Sequence, residues 1–308
     1  MKLISENLHI ISKNTKEAVK NRDEFYIKNL LKRQIAANPD WIDLNIGPAR
    51  GAFAGAMEWI VNIASEMTDI PLSLDTTNID EIESGLKLAK NPQNWIINST
   101  SADFERLEAV TDVAVKYNAN IIALTMNSEL GIPKESDGRL ELAFEINEKT
   151  QEKGIENEKI FFDPLILPVA VEQSQAVEAL NTIRMLKESF EPPVLTTIGL
   201  SNVSNGAPAH LRPLINRVFF VLAAGCGLDS AIVDSFDTEL LRINGLLENQ
   251  TPQNAADELI LSIYETMRDF GEIDDVACDL SDRSQLEIFK TARVLLNKTV
   301  YSNSYLEI

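Results

Sequence analysis

The run Val194-Leu195-Thr196-Thr197-Ile198-Gly199-Leu200-Ser201-Asn202-Val203-Ser204-Asn205 decides how the rest of the chain is read. Its first five residues are aliphatic or β-branched, the composition of a short buried strand. Gly206 and Pro208 follow, and Pro213 then opens a helical run through Phe220 that extends to Cys226. Residues 197–205 are therefore a strand-to-helix turn presenting Ser201, Asn202 and Asn205 at the C-terminal end of a strand. Turn chemistry alone accounts for serine and asparagine here. The weight comes from other strands that end in the same way.

Working outward from this turn, apolar runs alternate with amphipathic ones along the chain. Residues 3–8, 41–47, 71–75, 94–98, 120–126, 160–163, 194–198 and 229–234 read as strands. Helical patterns separate them, over 14–37, 53–67, 104–117, 175–189 and 213–226, with another reaching residue 153 after a polar loop at 127–138. The helix after the third strand opens at Thr77 or Asn78, with Glu81 placed to complete a capping box. A further helix begins at Glu239. Eight strands alternating with helices over about 250 residues predict a closed (β/α)8 barrel. The other architecture, a doubly wound open sheet, lacks a glycine-rich dinucleotide fingerprint after an early strand. No linker interrupts the alternation, so residues 1–308 read as one domain. Residues 247–290 stand apart, with eleven acids against three bases. Ala256, Leu259, Ile260, Ile263, Met267 and Phe270 keep a helical period there, which predicts an added acidic helical insertion. Residues 285–296 read as a last helix on the barrel.

Composition narrows the function. The chain has 308 residues, 44% hydrophobic and 24% charged, an ordinary globular balance. No apolar run approaches the ~20 residues of a membrane helix, and no signal-peptide core follows Lys2 and Glu6, so the chain reads as cytoplasmic. A formal net charge of −19 argues against nucleic acid or an anionic membrane as partner. Cys226 and Cys278 lack any Cys-x-x-Cys spacing, and His9 and His210 are too few to build a protein metal site.

In a barrel of this type the C-terminal strand ends converge on one face, where catalytic groups sit. Here those ends carry Asn45, Asp75, Asn98, Asp163 and Asn202. Capping and turn chemistry explains each singly; five carboxylate or carboxamide ends together point to a site. No Ser/His/Asp set, Schiff-base lysine or metal cluster accompanies them, and no general acid stands among them. An ionised aspartate accepts two adjacent N–H donors, and asparagine donates and accepts at once. That pattern suits the 2-amino-4-oxopyrimidine edge of a pterin.

Several segments carry a resemblance: L-S-L-D-T-T-N (72–78), I-N-S-T-S (97–101), L-T-M-N (124–127) with G-I-P-K-E-S-D (131–137), and D-P-L-I-L-P-V (163–169). To these add G-L-S-N-V-S (199–204), R-P-L-I-N-R (212–217) and L-L-N-K-T-V-Y-S-N-S (295–304). Together they resemble methyltetrahydrofolate:corrinoid/iron-sulfur protein methyltransferase, through most of residues 40–246 and again near 291. The resemblance implies a pterin-binding barrel, a homodimer, that passes the N5 methyl group of 5-methyltetrahydrofolate to cob(I)amide on a separate corrinoid protein. By position, Asp75, Asn98 and Asp163 would hold the pterin and Asn202 would hydrogen-bond N5. Ser201 and Gly199 would line the same pocket, with Asn45, Met126, Asn205 and Arg212 as secondary candidates. The family's opening E-R-I-N-G stands here as Glu6-Asn7-Leu8-His9-Ile10, which leaves the first strand's contribution open. Three alternatives stand beside this one: a methyltransferase of another corrinoid system such as O-demethylation, a folate-binding module without turnover, and dihydropteroate synthase. The last carries a Ser-Arg-Lys type sequence where this chain has Ser201-Asn202-Val203.

Overall fold

The computed structural model describes residues 1–307. Among these, eight parallel strands form one sheet: β1 (Lys2–His9), β2 (Trp41–Asn45), β3 (Leu72–Asp75), β4 (Ile96–Thr100), β5 (Asn120–Leu124), β6 (Ile160–Asp163), β7 (Leu195–Thr196) and β8 (Ser230–Val233). Their order runs β7-β6-β5-β4-β3-β2-β1-β8, so the sheet curls until its two edge strands meet. There the Ile232 amide donates to the Ile198 carbonyl at 2.8 Å, and Gly199 bridges Ile232 in parallel. The fold is a (β/α)8 barrel with this single thin seam.

The seam explains why β7 is shorter than its apolar run. The Asp229 carboxylate accepts from the Thr196 amide at 2.8 Å and from its hydroxyl at 2.9 Å, taking a donor that a longer ladder would use. Lys187 compensates the carboxylate at 2.8 Å. Side chains thus close the barrel where strand pairing stops.

Helices α1 (Lys13–Asn21) and α2 (Glu24–Ala36) replace the one helix expected over 14–37. Arg22 turns into the left-handed region at φ 53°, and the Asp23 side chain caps α2 by accepting from the Tyr26 amide. The remaining helices are α3 (Ala56–Met67), α4 (Ile79–Leu86), α5 (Phe104–Tyr117), α6 (Ser136–Glu152), α7 (Ser174–Ser189), α8 (Arg212–Gly225), α9 (Thr238–Asn249), α10 (Ala255–Arg268) and α11 (Arg283–Leu295). Asn78 caps α4, but Glu81 does not complete a capping box. Its carboxylate instead crosses to the start of α3, accepting from the amides of Gly55 and of Met57, the latter at 2.9 Å. A buried acid at that helix N-terminus meets unpaired donors and the positive end of the dipole.

The acidic C-terminal segment holds α10 and most of α11. Leu259, Ile260, Ile263 and Met267 are buried in the same apolar cluster as α8, while most acids face outward. A Cβ on Gly225 would lie 2.7 Å from the Tyr264 carbonyl, so glycine is what lets α8 and α10 cross this closely. Asp257 is the buried exception, and Arg242 neutralises it at 2.8 Å.

Inside the barrel, Ile4, Ile96, Ile122 and Phe161 form a dry layer, with Trp41, Leu124, Leu195 and Ile232 packed against it. Side chains alternate along a strand, so the next inward position toward each C-terminal end lies one layer higher. That upper layer is polar.

Candidate active site

From Ile4 the alternation leads to Glu6, from Trp41 to Asp43 and Asn45, from Ile96 to Asn98, and from Phe161 to Asp163. From Leu195 it leads to Thr197, and on β3 it joins Ser73 to Asp75. The register sets Asn45 beside Asp75, and Asp75 beside Asn98. Three of the strand-end candidates are therefore neighbours on adjacent strands. β4 runs on to Thr100, so Asn98 lies within the strand rather than at its end.

These side chains hold one another in fixed orientations. Asp43 is buried and accepts from the Ser73 hydroxyl at 2.6 Å and from Asn98 Nδ2 at 3.1 Å. With its NH2 engaged there, Asn98 keeps its carbonyl oxygen as a free acceptor. Asn45 is engaged at both ends: Nδ2 donates to Asp75 Oδ2, and Oδ1 accepts from the Gly47 amide at 3.3 Å. It orients Asp75. Behind Asp75, Arg106 clamps the end of β4 to the loop after β3 through the carbonyls of Ser99 at 3.0 Å and Thr77 at 2.8 Å.

Across the barrel, Asp163 is buried and accepts from the Leu165 amide at 2.7 Å and from the Gly199 backbone. Arg139 lies nearby, itself buried and donating to the Pro133 carbonyl at 2.9 Å. Met126 serves through its backbone, its carbonyl accepting from the Ala102 amide at 2.9 Å to tie two neighbouring loops together.

The turn after β7 is a 3-10 helix over Leu200–Ser204. Asn202 is exposed, and a Cβ on Gly199 would lie 2.9 Å from its Nδ2, so Gly199 makes room for that amide. Asn205 donates to Asn202 Oδ1 at 3.4 Å and accepts from Arg212 at 3.1 Å. Ser201 donates to Glu6 at 3.2 Å. The Thr197 hydroxyl, fully buried just past β7, has no hydrogen-bond partner among the described residues.

Burial dominates the electrostatics. It pushes Asp43 and Asp163 up to about 6 each, against the hydrogen bonds they accept. Asp75 is raised well above its ordinary value, first by burial and then by the Asp43 charge, with the Asn45 bond and Arg106 opposing. Glu6, half-buried, is pushed up to about 7 by burial, with Ser201 opposing and Asp234 and Asp43 adding to the rise. Glu6 and Asp43 were not among the strand-end candidates. The signal that finds them is the inward alternation from Ile4 and Trp41, not the last residue of a strand. Among the described residues, no group of three or more His, Cys, Asp or Glu side chains is arranged to hold a metal ion.

The free groups of this layer are mostly acceptors: Asp163, one oxygen of Asp75, and the carbonyl of Asn98. Such a set matches a planar ligand that presents several N–H donors along its edge. Comparison with known proteins agrees in kind. The family model described as "Pterin binding enzyme" matches residues 29–234. A methylcorrinoid:tetrahydrofolate methyltransferase of Eubacterium limosum is 25% identical over 243 residues, covering 78% of this chain and 88% of that protein. A methionine synthase of Mycobacterium leprae is 28% identical over 249 residues, 78% of this chain but 20% of that longer protein. Among solved structures, dihydropteroate synthase from Stenotrophomonas maltophilia superposes with a TM-score of 0.59 at 13% identity, over 82% of this chain and 94% of that one. This last likeness concerns the fold alone. With the family model matched over most of the barrel, the chain belongs to the pterin-binding enzyme family.

Proposed function

We propose that this protein transfers a methyl group between N5 of 5-methyltetrahydrofolate and the cobalt of a corrinoid carried by a separate protein. The observation that carries this reading is the acceptor set of Asp75, Asn98 and Asp163 at one mouth of the barrel, with Asn202 beside it. The two methyltransferase relatives support the reaction class. The pterin's N–H and NH2 groups would meet the carboxylates and the Asn98 carbonyl, and the exposed Asn202 would accept from N5–H. The name of the Eubacterium limosum relative puts the methyl group on the corrinoid at the start, so both directions belong to the reading. A corrinoid iron-sulfur protein is the proposed partner, an O-demethylation corrinoid protein the second, and a homodimer the proposed assembly.

A tertiary amine leaves poorly, so the C–N5 bond must be polarised before cobalt(I) attacks the methyl carbon. Asn202 does not titrate, but its carbonyl accepts from N5–H as positive charge develops there. One such charge-assisted bond is worth about 1.5–3 kcal/mol, roughly 10- to 150-fold in rate when made mainly in the transition state. The corrinoid supplies the nucleophile; this chain binds, orients and polarises the donor. Single-turnover transfer to cob(I)alamin tests the role of Asn202. In Asn202→Ala the rate should fall at least ~10-fold while the affinity for methyltetrahydrofolate changes less. The shape of the pH profile should stay the same. A wild-type rate in that variant reduces Asn202 to a turn residue.

A further inference from the structure

Polarising the C–N5 bond requires a proton on N5, and Asn202 cannot supply one. Building on the transfer reading above, we propose that Glu6 is the proton source of the site, acting through Ser201. Its place in the fold is the first argument. Glu6 stands two residues beyond Ile4 on β1, on the inward side, and Ser201, the neighbour of Asn202, donates to its carboxylate at 3.2 Å. When the carboxyl is protonated this bond reverses. The Glu6 O–H then donates to Ser201 Oγ, freeing the serine's own hydrogen to turn toward N5.

The surroundings of Glu6 favour the protonated form. Among the described residues, none makes an ion pair with it. Asp43 on β2 and Asp234 after β8 repel its negative charge, and Arg212 on α8 attracts it more weakly. Asp237 also faces this region but is held by Arg217 at 2.6 Å. Burial holds His9, farther along β1, below its ordinary value, with Asp234 opposing. The result is a carboxyl raised to about 7, a value at which protonated and ionised forms interchange readily near neutral pH.

Access distinguishes Glu6 from the other raised carboxyls. Asp163 is buried and accepts from the Leu165 amide, and Asp43 is buried under Ser73 and Asn98, so both are fixed as acceptors. Glu6 accepts one hydroxyl and lines a cleft of about 520 Å³ with Ser201, Arg212, Asn216 and Asp234. Solvent in that cleft can re-protonate it after each turnover. In the balanced step N5 takes the serine hydrogen as the serine takes the Glu6 proton, leaving a carboxylate. Cobalt(I) attacks the methyl carbon of the N5-protonated donor, the Co–C bond forms, and the C–N5 pair stays on nitrogen, leaving neutral N5–H.

Two measurements on the full chain test this. In protein carrying 13C-labelled glutamate carboxyls, the resonance lost in Glu6→Gln should titrate near pH 7. Single-turnover transfer to cob(I)alamin should slow in the wild type as pH rises through that value. Glu6→Gln should lose the inflection and run about 100-fold slower at pH 6, the scale of one positioned acid. Glu6→Asp should restore part of the rate and the inflection. Ser201→Ala should slow transfer while the Glu6 titration remains. A Glu6 resonance ionised throughout pH 5 to 8 overturns the inference. So does a pH profile unchanged in Glu6→Gln while the wild type transfers methyl. Wild-type protein that transfers no methyl at all overturns the functional reading and this inference together.

Discussion

Ile4, Ile96 and Phe161 at the waist of the barrel sit two residues before Glu6, Asn98 and Asp163 on the same three strands. The two layers share backbone and register, yet their physical chemistry runs in opposite directions. The waist is made of hydrocarbon, and each buried aliphatic or aromatic side chain there stabilises the fold by about 1.5–3 kcal/mol. The layer above buries carboxyl groups whose desolvation outweighs the hydrogen bonds they receive, since burial leads the causes at Glu6, Asp43, Asp75 and Asp163 alike. Nothing in the folding of the chain calls for that arrangement. A ligand bearing N–H donors does, because it would supply the partners that water has lost. The difference teaches that the waist is built for the unliganded protein and the upper layer for the complex.

The largest expected effect belongs to the waist. Phe161→Ala should cost about 3–5 kcal/mol, because the removed ring leaves a cavity bounded by strands that cannot collapse. Urea unfolding with an unchanged m value would show it. A cost under about 1 kcal/mol would mean that the waist is not the barrel's structural centre.

In the upper layer the sign should invert. Asp43 binds its proton more tightly when folded, its pKa rising from 3.8 to about 6. Its contribution to stability is therefore fully present below about pH 4 and is lost as pH rises through about 6. Asp43→Asn keeps an acceptor for Ser73 and Asn98 and removes the buried charge. It should be more stable than the wild type by up to about 3 kcal/mol at pH 8, with the gap closing by pH 4. Unfolding curves of both proteins at several pH values provide the check. A variant less stable than the wild type at pH 8 would show that the Asp43 charge is well compensated, and the contrast between the layers would fail.

Much of this could be read from the sequence, and the remainder could not, for identifiable reasons. Residues 160–163 and 104–117 are a strand and a helix with the expected bounds, because one uninterrupted period decides each. Asp75 and Asp163 terminate their strands as expected. Asp43 escaped because it sits mid-strand, and Glu6 because β1 continues past it to His9. Only the facing of the strand, set by closure of the barrel, shows both pointing inward. Glu81 fits a capping box by spacing but finds stronger donors on α3, a contact that no local pattern contains. Asn45 matches the other strand ends in type, and its pairing with Asp75 and Gly47 is set by the register, which no local pattern contains.

The smallest effect is the most discriminating, since it separates stability from function at a single carbon atom. Gly199 adopts φ −81° and ψ 88°, a conformation open to alanine, so its backbone is not the reason for glycine. Space is the reason: the added Cβ would lie 2.9 Å from Asn202 Nδ2 and 3.8 Å from its Cγ. Rotation of the Asn202 side chain would relieve the contact at little cost in stability. Gly199→Ala should then leave the protein as stable as before, or firmer by about 0.4–1 kcal/mol through a less flexible unfolded chain. Methyl transfer should meanwhile slow several-fold, less than the ~10-fold or more expected when the Asn202 amide is removed altogether. Thermal melting and single-turnover kinetics on the same preparation read the two effects separately. The double variant Gly199→Ala, Asn202→Ala should be no slower than Asn202→Ala alone, because the methyl group acts only by moving that amide. Additive losses would mean that residue 199 touches the substrate itself, and that the turn after β7 contributes its backbone as well as its asparagine.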